Sequence, residues 1–371
     1  GHPFNNLGGI LAVADYLSRQ AVAAGGAALT VRDLLTAMIK AHEIQEVIAL
    51  DNAFEQTTVD HVFLVRVTST AVTTAMLGGT VEQIINAVSD AWVDGTALRA
   101  DRHALDVGSR RSWAPGDATS RGVWHALSAM RGEMGHSRVV SARSPGFCDV
   151  LVQGRRLAHA RPCGSYAMEN VLFEVGHPAE VHGQTAVECA LQLHAAVVDR
   201  IDQVERVLIE SQAAAMRIID RTGPLDSPAD RNRCIRYMTA IPLIFGRLQV
   251  EDYEDRVASD PRLDALRGRM TVSENPGFSR DYHAADTRAV ANAVQVMFSD
   301  GSASPRVQVD FPIGHRRRRA EGIPLLLRKF DRAAAEALPV QQYLRVRRLF
   351  DDPARLDRLR VDQFMAELVR N

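Results

Sequence analysis

Four titratable side chains, His177, Glu180, His182 and Glu188, crowd around Pro178 within the stretch Arg161–Leu193, which then runs into an apolar helical pattern. Groups of this type at the mouth of a helix suit proton transfer, because the turn exposes them while the helix fixes their positions. His177, Glu180 and His182 also superficially offer three metal ligands. Zinc motifs on helices place their histidines at i and i+4, whereas these two are five apart with a proline between them, which weighs against a metal. On spacing alone, capping and orienting the following helix is the better account of Glu180 and His182, with acid/base work as the rival.

The densest positive charge is His315-Arg316-Arg317-Arg318-Arg319. It is short, lacks interleaved aromatics and precedes an apolar helix, so a nucleic-acid tail is disfavoured. A salt-bridged helix start and an anion clamp are evenly matched. Arg110-Arg111-Ser112-Trp113 falls in a Gly-, Asp- and Arg-rich stretch from Asp94 to Gly116 that reads as a long loop, where functional residues concentrate. The cations Arg102, His103, Arg110, His315 and Arg316 are the candidate substrate-binding residues for an anionic ligand. His2-Pro3 would ordinarily be dismissed as terminal. P-loop, G-x-G-x-x-G and nucleophile-elbow patterns are missing from the sequence, which removes support for nucleotide, dinucleotide and serine-hydrolase chemistry.

The elements that must position these residues change character along the 371-residue chain. Thr30 with Asp33 opens a capping box ahead of the stripe Leu34, Leu35, Met38, Ile39, Ile44; Gly78-Gly79 ends the next segment, and Thr80 with Gln83 caps another bearing Ile84, Ile85, Val88 and Trp92. Asp117 is placed to cap a helix carrying Val123, Leu127 and Met130. After Asn170 the pattern predicts a helix over about 185–201, a strand over 204–209, a helix over 235–248 interrupted at Pro242, and a hairpin of 291–298 with 306–311 around Asp300-Gly301. From Gly322 it is helical again. The fold class expected is mainly α, a large helical domain (1–172 and 313–371) with an inserted smaller α+β domain (173–312).

Composition bounds the rest. With 46% hydrophobic and 24% charged residues and a net charge of −1, the chain resembles an ordinary globular protein with no global pull toward nucleic acid or membrane. Only Lys40 and Lys329 are lysines, so nearly all positive charge is arginine, which forks onto carboxylates. Cys148, Cys163, Cys189 and Cys234 lack C-x-x-C spacing, which predicts free thiols in a reducing, cytoplasmic setting.

Beyond these patterns, the segments GHPFNNLGGILA, LLTAMIKAHEIQ, HVFLVRVTSTAV, RSWAPGDATSR, SYAMENVLFE, PAEVHGQTAVE, IRYMTAIPLIFGRLQVEDYED, DYHAADTRAVANA and PIGHRRRRAEGIP resemble the MmgE/PrpD family in order and over nearly the whole chain. The resemblance implies a helical domain with an α+β lid, a cytoplasmic homodimer, and dehydration of 2-methylcitrate to 2-methyl-cis-aconitate in the methylcitrate cycle of propionate breakdown. No metal, iron–sulfur cluster or other cofactor is implied, and no membrane or nucleic-acid partner. It further implies catalytic positions at His2, Arg111 (where the family usually has lysine), Glu180, His182 and Tyr237. The family's D-F-[DN]-D-T segment would precede His2, so an N-terminally truncated chain is expected. The rival expectation is a catalytically silent homologue with a dimerising or structural role.

Overall fold

A computed structural model describes residues 2–52, 54, 57, 59–95, 98 and 110–369, apart from the side chains of Arg111 and Ser112. The chain divides into two compact units, Gly1–Asn170 with Asp331–Asn371, and Val171–Phe330. Among the described residues it is mainly helical, with one four-stranded sheet.

Unit 1 opens on the 3-10 turn Pro3–Asn6, followed by α1 (Leu7–Ala23), α2 (Val31–Asn52), α3 (Val62–Met76), α4 (Val81–Val93) and α5 (Arg110–Met130). Both expected capping boxes are present. The Asp33 carboxylate accepts from Thr30 N at 2.8 Å while Thr30 Oγ1 accepts from Asp33 N at 3.3 Å, and Thr80 and Gln83 exchange the same pair of bonds.

α3 and α5 lie close because Gly122 carries no side chain: a Cβ there would stand 2.7 Å from Ser69 Cβ and 2.9 Å from the Arg66 carbonyl. A buried polar network stitches the same region. Asn6 Nδ2 donates to Gln45 Oε1 (2.8 Å), Ser69 Oγ donates to Asn6 Oδ1 (2.6 Å), and the Ser69 and Thr119 hydroxyls are 2.8 Å apart. Buried hydrogen bonds of this kind favour one arrangement of their helices, even with Gln45 Nε2 lacking a partner among the described residues. Here they anchor the turn that follows His2.

The expected loop over 94–116 is corrected at its end, since α5 starts at Arg110 and Asp117 lies inside it rather than at its cap. The physical reason is packing. Ala114 and Ala118 bury against Val62 and Val65, which extends the helix upstream through Pro115.

Unit 2 is built on a sheet of order β2-β1-β3-β4, comprising β1 (Val204–Ser211), β2 (Met270–Glu274), β3 (Asn292–Phe298) and β4 (Val307–Val309). β1 pairs parallel with β2 and antiparallel with β3; β3 and β4 form the expected hairpin, and Gly301 supplies its φ of +83°. β1 alternates its burial from Val207 onward, after a register shift between Val204 and Arg206, and sends Val204, Val207 and Ile209 into the core.

Helices α6 (Gln184–Val197) and α7 (Ile235–Phe245) fill that core with Val187, Leu193, Met238 and Ile241. Two expectations change. The helix predicted over 185–201 ends at Val197 and continues as a 3-10 turn to Gln203. α7 runs through Pro242 and stops at Gly246, whose φ of +65° forms a left-handed cap, with its N–H donating to the Pro242 carbonyl at 3.0 Å. β2 was not anticipated; it is five residues long and its burial does not alternate.

α8 (Pro276–His283) follows β2, its first turn capped by Asn275. α9 (Arg319–Ala337), α10 (Val340–Leu349), α11 (Pro353–Arg358) and α12 (Val361–Leu368) complete the chain. Val361 N donates to Leu29 O and Val31 N to Leu359 O, both at 2.9 Å, so the C-terminal segment closes on the start of α2.

Candidate active site

In unit 2 the Pro178 turn delivers its titratable residues as a chain of hydrogen bonds. Glu180 caps the 3-10 turn Val181–Gly183, its Oε2 accepting from His182 N at 2.8 Å. Both carboxylate oxygens also lie 2.9 and 3.0 Å from His182 Nδ1, and His182 Nε2 lies 3.1 Å from the Tyr282 hydroxyl on α8. Capping and acid/base geometry are therefore the same contact rather than alternatives.

The backbone beneath is held firmly. Asn292 Nδ2, on β3, donates to His182 O at 2.8 Å, and Gly183 presses on Met238 so closely that a Cβ would stand 2.7 Å from its methyl. Burial works against an ionised Glu180, but hydrogen bonds and charge from His182, with Arg233 nearby, win and hold its pKa below the ordinary carboxylate value. When the His182 ring is neutral, the ionised Glu180 accepts a hydrogen bond from its Nδ1–H, which leaves Nε2 to accept from the Tyr282 hydroxyl. The result is a Glu–His–Tyr relay able to move a proton to or from the phenolic oxygen.

Unit 1 has its own histidine cluster. The exposed His2 ring meets His61 edge-on at 5.4 Å between centroids, and His61 Nδ1 is 3.4 Å from the buried carboxylate of Asp60. Asp60 is fixed in turn by Val62 N, which donates to it at 3.0 Å at the start of α3. A carboxylate against Nδ1 favours the imidazole tautomer that carries its proton there, while the Nε2 atom is buried. Arg110, on the first turn of α5, stacks its guanidinium 4.9 Å from the Trp113 ring centroid. Arg111 follows it in the same helical turn, while Arg102 and His103 lie outside the described residues.

Other sequence candidates are engaged elsewhere. Tyr237 is 2% exposed, stacks on Tyr253 and donates to the Asp252 carbonyl at 2.6 Å; burial raises its pKa to about 12. His315 is buried against Phe311, its Nδ1 accepting from Arg317 N (3.3 Å) and its Nε2 3.1 Å from Thr287 O. Burial, reinforced by Arg316, Arg317 and Arg319, lowers its pKa despite the Thr287 carbonyl. Arg316 donates to the Asp286 carbonyl, and Arg318 pairs with Glu188 (2.7 Å) and Glu321 (2.9 Å). The arginine run is thus shared among separate partners. Tyr237 and His315 thus make their hydrogen bonds to Asp252, Thr287 and Arg317.

Residues 1–160 match the MmgE/PrpD N-terminal domain and residues 177–352 the MmgE/PrpD C-terminal domain. The chain belongs to the MmgE/PrpD family. Within it, the sequence is 52% identical over 368 residues to a 2-methylcitrate dehydratase of Cupriavidus necator and 53% identical over 369 residues to one of Escherichia coli; each alignment covers 98% of this chain and 76% of the relative. A mitochondrial 2-methylcitrate dehydratase of Yarrowia lipolytica is 50% identical over 92% of the chain and 66% of its own length.

Sequence reasoning about this MmgE/PrpD chain missed Tyr282, His61 and Asp60. Tyr282 is separated from His182 by 100 positions, so only the folding of α8 against the Pro178 turn reveals the pair. His61 opens the segment HVFLVRVTSTAV and Asp60 precedes it, so an Asp-His neighbour pair at a helix start was the available signal. No helix among the described residues is long and apolar enough to cross a membrane.

Proposed function

We propose that this MmgE/PrpD chain is a hydro-lyase that removes water from 2-methylcitrate to give 2-methyl-cis-aconitate. The observation that carries the reading is its 52–53% identity, over 98% of its length, to 2-methylcitrate dehydratases. The residue chemistry supports it. Elimination needs a base for the C–H proton beside a carboxylate, an acid for the departing hydroxyl, and cations for the carboxylates.

In the Glu180–His182–Tyr282 relay, the Tyr282 oxygen accepts the carbon-bound proton as its own proton passes to His182 Nε2. The resulting imidazolium is stabilised by Glu180, which stays ionised. The C–O bond breaks as the C=C bond forms, and the hydroxyl leaves as water with one proton from an acid. Arg111 is assigned to hold a substrate carboxylate, because a guanidinium stays protonated and does not carry the proton itself.

The reading extends to a cytoplasmic homodimer. Val81, Ile85, Trp124 and Leu127 are apolar side chains left exposed in unit 1, which a second subunit would cover. Light scattering of the purified chain checks that assignment, and a monomer at working concentration overturns it. The test of function is to incubate the chain with 2-methylcitrate and follow the ultraviolet absorbance of the new conjugated double bond. Stoichiometric product supports the dehydratase; complete silence with folded protein removes it.

A further inference from the structure

Arg66 is 4% exposed on α3 and makes no ion pair among the described residues. Its Nε donates to the Ala91 carbonyl (3.0 Å) and its Nη1 to the Gly95 carbonyl (2.6 Å), which aim the guanidinium but do not neutralise it. A buried charge without a direct counter-ion is costly, so such a group is kept where something else supplies the counter-charge. Burial does pull the Arg66 pKa down; Asp94 and Asp117 oppose this only from a distance, Asp94 being itself bound to Arg121 through two hydrogen bonds of 2.9 Å.

Arg66 also lines a cavity of about 320 Å³ in unit 1, together with Arg110, Arg121, Asp117, Val62 and Phe63. That size is within the range of small-ligand pockets. Arg110 has no carboxylate partner among the described residues either, its recorded neighbour being Trp113. Arg66 and Arg110 therefore face the cavity with charge to spare, whereas Arg121 is already spent on Asp94. Asp117 is exposed, lines the same cavity and attracts Arg66 from a distance, which makes a second negative charge unwelcome there.

We propose that Arg66 and Arg110 form a carboxylate-binding subsite within the helical unit, taking one carboxylate of a polycarboxylate ligand. As a site for the substrate it rests on the dehydratase reading above. A planar carboxylate fits two guanidinium groups through forked N–H donation, and Val62 and Phe63 give the pocket an apolar wall for the carbon chain. The subsite lies a little over one turn along α3 from its N-cap residue, His61.

The experiment is calorimetric binding of tricarballylate, which carries three carboxylates and has no hydroxyl to lose, to the full chain. Wild type should bind, Arg110→Gln should weaken binding about 10-fold, and Arg66→Met should weaken it more, with Arg66→Lys intermediate, each checked for folding by circular dichroism. Because Arg66 braces two carbonyls and its variants risk misfolding, Arg110→Gln decides the matter alone. Undiminished affinity in folded Arg110→Gln overturns the subsite, as does a wild type that ignores tricarballylate or prefers inorganic phosphate. In turnover, Arg110→Gln should raise KM about 10-fold with kcat little altered. Binding through Arg110 without any dehydration would sink the dehydratase reading alone; dehydration with KM unchanged in Arg110→Gln would sink the subsite alone.

Discussion

At the scale of single residues, the relay makes separable demands on its members. Glu180→Gln keeps a hydrogen-bond acceptor for His182 Nδ1 but removes the charge that stabilises the imidazolium, and His182→Asn breaks the chain outright. General acid–base groups contribute about 10²–10⁴-fold, so steady-state assays should show kcat falling within that range for His182→Asn, and by a smaller factor for Glu180→Gln. Tyr282→Phe removes the hydroxyl while keeping the ring and should fall in the same range; wild-type turnover in that variant would take Tyr282 out of the chemistry. Tyr237→Phe offers the contrast. It removes a buried hydroxyl bonded to the Asp252 carbonyl, and equilibrium denaturation should register a loss of about 1–3 kcal/mol with catalysis per folded molecule largely kept. If kcat instead collapses with stability unchanged, the catalytic role implied by the family resemblance returns.

At the scale of elements, two glycines govern how the helices lie. Gly122 lets α5 press onto α3, where an added methyl would stand 2.7 Å from Ser69 Cβ and 2.9 Å from backbone. Backbone cannot yield as a side-chain tip can, so Gly122→Ala should destabilise unit 1 by about 1–3 kcal/mol in urea unfolding. It should also disturb the start of α5, where Arg110 and Arg111 sit. Gly246 ends α7 at φ +65° with the His194 ring 2.8 Å from any added Cβ, so strain and overlap act together. The capping boxes at Thr30 and Thr80, the helical stripes and the Asp300-Gly301 hairpin were legible because each is a local pattern with a local cause. The start of α5 and the continuation of α7 through Pro242 were not legible, because Ala114 and Ala118 gain more by burial on α3 than a loop residue gains from water. β2 escaped for the same reason, since its strand character comes from pairing with β1 rather than from its own five residues.

At the scale of the molecule, buried histidines set the response to acid. Burial lowers the pKa of His125, His177 and His315, so all three are more readily neutral in the folded chain than in the unfolded one. Between the folded values and the ordinary value of about 6.5, the unfolded chain binds more protons; stability is therefore full above that value and is lost as pH falls below it. Glu180 adds the same sign lower down, its contribution present above the ordinary carboxylate range and lost as pH falls through its depressed pKa. Thermal unfolding should show a lower Tm at pH 5 than at pH 7.5, with a shallower slope in His315→Gln; a flat profile would mean these rings titrate normally. What the sequence determined by itself was the mainly helical fold with its α+β insertion, the family, and the crowding of Glu180 and His182 at Pro178, because these follow from local periodicity, capping chemistry and long ordered motifs. Which distant side chains complete those groups was decided only by tertiary structure. Tyr282 meets His182 across 100 positions, His2 meets His61 across an intervening helix pair, and Arg66 is buried without a direct ion pair among the described residues. Hydrogen-bond partners and uncompensated charge depend on where burial brings residues together, and no spacing along the chain encodes that.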